Sequence, residues 1–264
     1  MQRLVKRYSN RKLYDTSESR YVTLDEISRW VKAGEDVKIV ENESGEDLTA
    51  VNVDRRGVEG DRLWAVRDAD DGKLGSGKSS RRFTKMDGLL SLSASYDGPT
   101  PVVAFPDGTS ARGDDPAVHE LLSRHLGRAV RLAREDDVPH FDEADLHLLT
   151  TSSLARIAEL YGRPVDVRRA RANLLVDNGT DAGFDEDAWL GRTVRIGDVE
   201  LRILRPMERC VMVTMPQIGL PEARGLLARI GAANETNLGL VAEVVAPGRM
   251  RLGDRVVVEP GATG

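Results

Sequence analysis

Thr193-Val-Arg-Ile-Gly-Asp-Val-Glu-Leu-Arg-Ile203 consists of two short alternating runs hinged on Gly197-Asp198. Val194 and Ile196 recur at a period of two on one side, and Val199, Leu201 and Ile203 do so on the other. That period is a strand with one buried face, and glycine beside aspartate supplies a tight turn. The stretch predicts a β-hairpin. Its texture recurs along the chain. Leu63-Trp-Ala-Val66 and Lys73-Leu74 flank Asp70-Asp-Gly72, and Met250 to Val258 repeats the theme around Gly253-Asp254.

Helical signals are fewer. Thr23 and Glu26 make a capping box before Leu24, Ile27, Trp30 and Val31 at helical spacing, with Gly34 as the stop, so a helix is predicted over Thr23–Lys32. Others are expected from Pro116 to Gly127, from about Ser153 to Gly162, and over Pro221–Ile230. Val37–Val40 reads as a short strand and Ser44–Asp47 as a turn. Many short strands with a few inserted helices predict a mainly β chain with α additions, built on a β-barrel core.

The chain has 264 residues, 40% hydrophobic, with a formal net charge of -5, as ordinary globular proteins do. Cys210 is its only cysteine, which excludes an internal disulfide and a protein-bound iron–sulfur cluster. The N-terminal MQRLVKRYSNRK lacks the apolar region of a signal peptide, and no run approaches the ~20 apolar residues of a membrane span. A cytoplasmic protein with no membrane partner is expected.

Gly72-Lys-Leu-Gly-Ser-Gly-Lys-Ser79 matches a phosphate-binding loop pattern. That chemistry needs a buried strand before the loop and a helix N-terminus after it. Here Arg67-Asp-Ala-Asp-Asp71 precedes the loop and no helical period follows, so a glycine-rich hairpin tip is the better reading. The histidines, His119, His125, His140 and His147, show no metal-ligand spacing and none is near Cys210 in sequence. Cys210 follows Arg209 and a proline-bearing turn and precedes the apolar run Val211-Met-Val213, read as a strand. A lone cysteine is often a small buried hydrophobe. Arg205 and Arg209 instead place positive charge nearby, which favours a thiolate, a soft metal ligand.

Six segments, taken in order, carry a resemblance. They are Gly57–Asp68, Leu146–Leu154, Arg168–Asp177, Phe184–Arg192, Met207–Thr214 and Arg251–Val256. Residues ~50–258 resemble a MOSC domain, the C-terminal domain of molybdenum cofactor sulfurase, which implies a MOSC-type β-barrel with a few helices. The resemblance implies Cys210 as molybdenum ligand and catalytic residue, as in the amidoxime-reducing enzymes, or as a sulfur carrier. It implies that Arg62 grips the phosphate of the molybdenum cofactor (molybdopterin). Arg171 and Asn173 would bind its pterin or phosphate tail, and Ser152 and Ser153 would add hydroxyl donors from a helix start. A doubly charged phosphate suits guanidinium forks. The competing account pairs Arg62 with Asp61 and Arg171 with Asp177. Ala170 and Ala172 depart from the family's R-F-R-P-N pattern, which loosens the expected pocket, and the usual first strand with its P-V-K-S segment is missing.

Residues 1–48 instead resemble the DNA-binding domain of polyhydroxyalkanoate accumulation regulators, through Leu4–Thr16, Ser19–Leu24 and Gly34–Thr49. Arg3, Lys6, Arg7, Arg11 and Lys12, with Tyr8 and Tyr14, make a small basic reader expected to contact DNA. The competing account is a solvated basic face on a structural cap. The expected organisation is a small α+β module at 1–48, a MOSC-associated β part at 49–140 with its first strand replaced, and the MOSC core at 141–259. Val37–Val40 is expected to pair with the barrel or leave an edge open. Two functions stand side by side. One is a molybdenum-dependent oxidoreductase reducing N-hydroxylated or oxide substrates with electrons from an external donor protein. The other is a non-enzymatic cofactor or sulfur carrier or sensor, or a DNA-binding regulator acting through residues 1–48. Beside these two functions stands a third expectation, a MOSC barrel that has lost its ligand because the first strand is replaced.

Overall fold

A computed structural model of the chain describes residues 2–8, 12–42, 45, 47–137, 139–141, 145–179 and 181–260. Arg11, part of the Ser44–Asp47 turn and the side chain of Leu24 lie outside the described residues. The chain is mainly β with four α-helices among the described residues, the class the alternating runs predict. It forms two compact units, one from Met1–Glu59, Gly191–Ile203 and Glu243–Gly264, the other from Gly60–Leu190 and Leu204–Ala242.

The first unit opens with a four-stranded sheet. Its strands are β1 (Arg3–Arg7), β2 (Leu13–Asp15), β3 (Arg20–Val22) and β4 (Val37–Glu41), in the order β3-β2-β1-β4. Helix α1 (Leu24–Lys32) joins β3 to β4 so that β4 lies parallel to β1. Its capping box forms as read. Glu26 N donates to Thr23 Oγ1 at 3.3 Å and Thr23 N to Glu26 Oε2 at 2.8 Å. Arg20 and that cap hold the Glu26 carboxyl down at about 2. Gly34, at φ +83°, follows the helix end in the left-handed conformation. Val5, Val22, Ile27, Val37 and Ile39 form the core beneath α1, with Trp30 and Val31 packed against it.

Val37–Val40 therefore pairs within this sheet. The strand that pairs with the C-terminal part is the next one, β5 (Ala50–Asp54). It runs antiparallel to Gly248–Arg251, and Leu252 N donates to Thr49 O at 2.8 Å. The opening hairpin also forms, with Thr193–Ile196 antiparallel to the start of the strand Val199–Glu208 and Gly197 at φ +57°. A Cβ on Gly197 would sit 2.6 Å from Arg249 O, so close backbone approach as well as the turn requires glycine. The run Met250–Val258 is not a hairpin. Asp254 Oδ2 accepts Arg251 N at 2.8 Å to make a turn, after which Val256–Val258 pairs with Thr193–Ile196.

In the second unit, Trp64–Asp68 lies between Val130–Arg134 and Leu74–Ser76. Leu74–Ser76 is a strand paired parallel with Phe83–Lys85, and the irregular residues 77–82 between them hold no helix, so no helix follows the glycine-rich stretch. Helix α2 (Ala117–Leu126) follows Asp115 and ends at Gly127 in the left-handed conformation, as expected. It buries Val118, Leu122 and Leu126 against Val103, Phe105, Val130 and Leu132. Leu146–Thr150, wholly buried, pairs with Leu174–Val176 and with Asn237–Ala246, and leads into helix α3 (Thr151–Tyr161). Helix α4 spans Leu226–Asn234, five residues later than Pro221 suggested. Gly225, at φ +79°, interrupts the chain there, and Pro221 O is taken by Arg169 instead. No described helix is long and apolar enough to cross a membrane.

The β5 ladder carries a testable consequence. A chain truncated to begin at Gly60 loses the partner of Gly248–Arg251 and leaves that edge open, whereas one beginning at Thr49 keeps it. The shorter chain is expected to melt several degrees lower and to scatter light at concentrations where the longer one stays clear. Coincident melting curves would show that β5 contributes nothing.

Candidate functional site

Cys210 is half-buried and caps a short 3-10 turn, Val211–Thr214, in the second unit. The apolar run after it is thus not a strand. Val213 N donates to Cys210 O at 3.2 Å, and Thr214 Oγ1 turns back to Val211 O at 2.7 Å. The turn ends the extended chain at the cysteine and leaves its side chain outside any sheet ladder.

Arg209 holds the approach. Its backbone N–H donates to Thr236 O at 2.8 Å, and its Nη2 to Ala170 O at 2.5 Å. Nη1 faces His147 Nδ1 at 3.5 Å, a long contact. Nε is buried and has no partner among the described residues. Burial, with Arg171 nearby, lowers the Arg209 pKa to about 10, while Cys210 works in the opposite direction. Neither Arg209 nor Arg171 forms an ion pair among the described residues, so the expected alternative Arg171–Asp177 pair is not made.

His147 is buried at the start of the strand Leu146–Thr150. Its Nε2–H donates to Leu238 O at 3.2 Å, which turns the bare Nδ1 toward Arg209. Burial, then the Arg209 charge, pushes its pKa down to about 3, so the ring is neutral near pH 7. Gly239, at φ +83°, makes room for it, since a Cβ there would lie 2.5 Å from His147 Nε2.

Asn173 is tied to the same residue. Its Oδ1 accepts His147 N and its own N donates to His147 O, both at 2.9 Å. Its Nδ2 donates to Asp61 Oδ2 at 2.9 Å, and Arg62 Nε pairs with that carboxylate at 3.3 Å. The Arg62–Asp61 pair is therefore made. The Arg62 guanidinium also lies over Phe141, 5.1 Å from the ring centroid. Its carbonyl accepts His140 Nδ1 at 2.9 Å. His140 is buried, and its Nε2 faces Arg67, so burial and that neighbour lower its pKa despite the Arg62 hydrogen bond.

Two of these arginines carry backbone strain. Arg62 sits at φ +58° and Arg171 at φ +52°, a region that side-chain-bearing residues seldom occupy and that costs about 1–3 kcal/mol each. Thr236, the acceptor of Arg209 N, sits at φ +68°. Strain of this kind persists where surrounding contacts over-determine the backbone.

Ser152 and Ser153 lie at the other end of the Leu146–Thr150 strand, on the first turn of α3. Both are buried and their hydroxyls are engaged. Ser153 Oγ donates to Glu186 Oε2 at 2.7 Å, and Ser152 Oγ accepts from Asn178 Nδ2 at 2.9 Å. Thr150 Oγ1 adds a 2.5 Å bond to Glu186, whose carboxyl burial pushes upward against these hydrogen bonds. The structure thus gathers Cys210, Arg209, Arg171, His147 and Asn173, links Arg62 to them through Asp61, and turns the serine hydroxyls to Glu186 and Asn178. Sequence reading missed His147 and Glu186. A histidine beginning an apolar run was a weak signal for the first, and nothing marked the second.

The family model for the MOSC domain matches residues 123–257, just over half of the chain. The chain belongs to the MOSC domain family. That family is associated with the molybdenum cofactor. Ahead of the MOSC match, residues 4–53 match the PHB/PHA accumulation regulator DNA-binding domain. A protein of Allochromatium vinosum, described as "Uncharacterized protein", is 38% identical over 48 residues, 18% of this chain and 31% of that one. The chain thus spans about a third of that relative's length. Among solved structures, the YuaD protein from Bacillus subtilis aligns over 84% of this chain and 91% of its own at 14% identity, with a TM-score of 0.40. YiiM from Geobacillus stearothermophilus aligns over 51% and 69% at 17% identity, with a TM-score of 0.37.

The neutral His147 predicts a pH dependence. Its folded pKa, about 3, lies below the ordinary 6.5 that the unfolded chain retains, so the unfolded chain takes up the proton first. The contribution is whole above pH 6.5 and is lost as pH falls toward 3, at up to ~1.4 kcal/mol per pH unit. Urea titrations between pH 7 and 4 are expected to show a shallower loss of stability for His147→Gln than for wild type. Parallel profiles would mean that His147 titrates normally.

Proposed function

We propose that this MOSC protein binds the molybdenum cofactor in the second unit, with Cys210 as its thiolate ligand. The carrying observation is uncompensated positive charge beside that thiol. Among the described residues Arg209 and Arg171 have no carboxylate partner, and Arg209 Nε is buried without an acceptor. A buried donor left unmade costs ~1–3 kcal/mol, and a phosphate-bearing anion would supply the acceptor. The residues present fit such a group. Arg171, Arg209 and Asn173 would hold its anionic tail, with Arg62 close behind through Asp61.

The proposed activity is reduction of N-hydroxylated or oxide substrates. When bound, the cofactor supplies two-electron oxygen-atom-transfer chemistry. The protein's part is to hold the group by its phosphate and present one thiolate to it. His147, as a neutral acceptor, orients the Arg209 guanidinium without adding a competing charge. With Cys210 the only cysteine, electrons come from an external donor protein. The cytoplasm is the compartment that fits an unpaired, functional thiol.

Cys210→Ser is expected to abolish reductase turnover with an artificial electron donor and to lower molybdenum content, while circular dichroism stays unchanged. Arg171→Ala is expected to reduce cofactor retention roughly ten- to hundredfold relative to Arg131→Ala, an exposed strand arginine, since charge-assisted hydrogen bonds contribute ~1.5–3 kcal/mol. Wild-type molybdenum content in both variants would refute the assignment. Full molybdenum content without turnover on any such substrate would favour a carrier.

A second reading, DNA binding through the N-terminal module, is supported by the residues 4–53 match and by an uneven fate of the module's cations. Arg3 is engaged internally. It pairs with Asp15 at 2.5 Å, Glu18 at 2.8 Å and Glu35 at 2.9 Å, and stacks over Trp30 at 4.1 Å. Glu18, then Glu35 and Asp15, raise its pKa against burial. Lys6, Arg7 and Lys12 are the other described cations of the expected phosphate-contacting set, and Arg11 lies outside the described residues. Each neutralised phosphate adds about -0.9 to the slope of log affinity against log salt. Lys12→Ala is expected to flatten that slope by about one unit in gel-shift titrations, and Arg3→Ala to leave it unchanged while lowering the melting temperature. Equal slope changes in both would place Arg3 on the DNA after all.

A further inference from the structure

The pleat of the N-terminal sheet divides its basic run between two faces. Cross-strand partners point to the same side, and successive residues to opposite sides. Arg3 pairs with Val37, and Arg7 with Leu13 and Glu41, so both arginines belong to the face that carries Val5, Val22, Val37 and Ile39 under α1. Lys6 pairs with Tyr14 and Val40, Tyr14 pairs with Tyr21, and Leu4 pairs with Lys38. These residues form the opposite face, and none of them is acidic. Asp47 bridges to Val40 and pairs with Lys38 at the β4 end of this face, 3.8 Å from Nζ, while Glu18 and Glu35 gather around Arg3 and Glu26 around Arg20.

This face carries an aromatic ladder. Tyr8 and Tyr14 meet edge to face with ring centroids 6.4 Å apart, and Tyr14 and Tyr21 do so at 5.5 Å. Lys12 Nζ lies 5.3 Å from the Tyr21 ring centroid. Tyr21 is 59% exposed, Tyr8 and Tyr14 are half-buried, and Lys12 is exposed. Tyrosine rings partly exposed on a sheet face offer π-surfaces for bases that are not already stacked in a duplex. Lysines beside them suit the phosphates that link such bases.

We propose that the Tyr8–Tyr14–Tyr21 ladder, with Lys6 and Lys12, binds an unpaired strand of DNA by stacking bases on the rings. The proposal rests on the DNA-binding reading of residues 4–53 and adds to it the face, the residues and the form of the DNA. The ladder supplies affinity that does not depend on charge, and the lysines supply the salt-sensitive part.

The test is fluorescence anisotropy with the full chain, using a labelled oligothymidine and a labelled duplex of the same length, at several salt concentrations. Oligothymidine is expected to bind more tightly than duplex. Tyr21→Ala is expected to weaken oligothymidine binding roughly 5- to 150-fold with the salt slope unchanged, because it removes a stacking surface and no charge. Tyr21→Phe keeps a π-face and is expected to bind nearly as wild type. The Tyr21 side is the outermost ring of the ladder, so the fold should survive, which a melting curve of each variant checks. Salt-sensitive binding to duplex that equals or exceeds oligothymidine binding, with Tyr21→Ala unaffected, would overturn this proposal and leave the DNA reading standing. No binding to either probe at low salt would overturn both.

Discussion

A guanidinium cannot escape burial by losing its proton, so whatever surrounds Arg209 must accept hydrogen bonds or leave it in debt. Three separate segments answer that constraint. Ala170 and Thr236 give carbonyls, and His147 gives a bare ring nitrogen. The response of His147 follows from the same charge. A protonated imidazole facing a guanidinium in a buried place would be doubly unfavourable, and its pKa falls accordingly. Gly239 is without a side chain because the His147 ring and the Leu148 carbonyl both occupy that space. Among the described residues Arg209 Nε has no acceptor, on the residue next to the chain's single thiol.

The N-terminal module solves the opposite problem. Its arginine at position 3 is given three carboxylates and an aromatic face, and so becomes a structural tie. The pairs with exposed Glu18 and Glu35 each contribute little, but with buried Asp15 and the Trp30 ring they make four groups converging on one guanidinium, which ties β1, β2 and α1 together. On the other side of the pleat Lys6 lies opposite Tyr14, and Lys12 Nζ lies 5.3 Å from the Tyr21 ring centroid. One basic run thus yields two kinds of surface because a strand turns every second side chain over.

What was legible in the sequence was whatever depends on local spacing. The Gly197-Asp198 hairpin, the Thr23–Glu26 capping box, the Gly127 and Gly162 helix stops and the strand Val37–Val40 all form as read, because turns, caps and period-two runs are decided within a few residues. Cys210 was marked by being the single thiol beside arginines, whereas Arg62, Arg171 and Asn173 were marked by resemblance alone, and the resemblance was also sufficient for the family. Pairing was not legible. Met250–Val258 contains a good turn, yet its two halves find Val51 and Ile196 rather than each other. Val211-Met-Val213 is apolar enough for a strand, yet it closes into a 3-10 turn.

The sequence by itself determined a mainly β chain, the caps and turns that punctuate it, a basic N-terminal segment and one thiol beside an arginine. Tertiary structure decided which cations are neutralised and which are not. Arg3 and Arg171 look alike in sequence, each amid other basic residues, but one meets Asp15, Glu18 and Glu35 while the other meets no carboxylate among the described residues. It also decided that His147, sixty-two positions before Arg209, should face it. A charge's effect depends on distance and on the medium between, and both are set by how distant segments pack rather than by the residues adjacent along the chain.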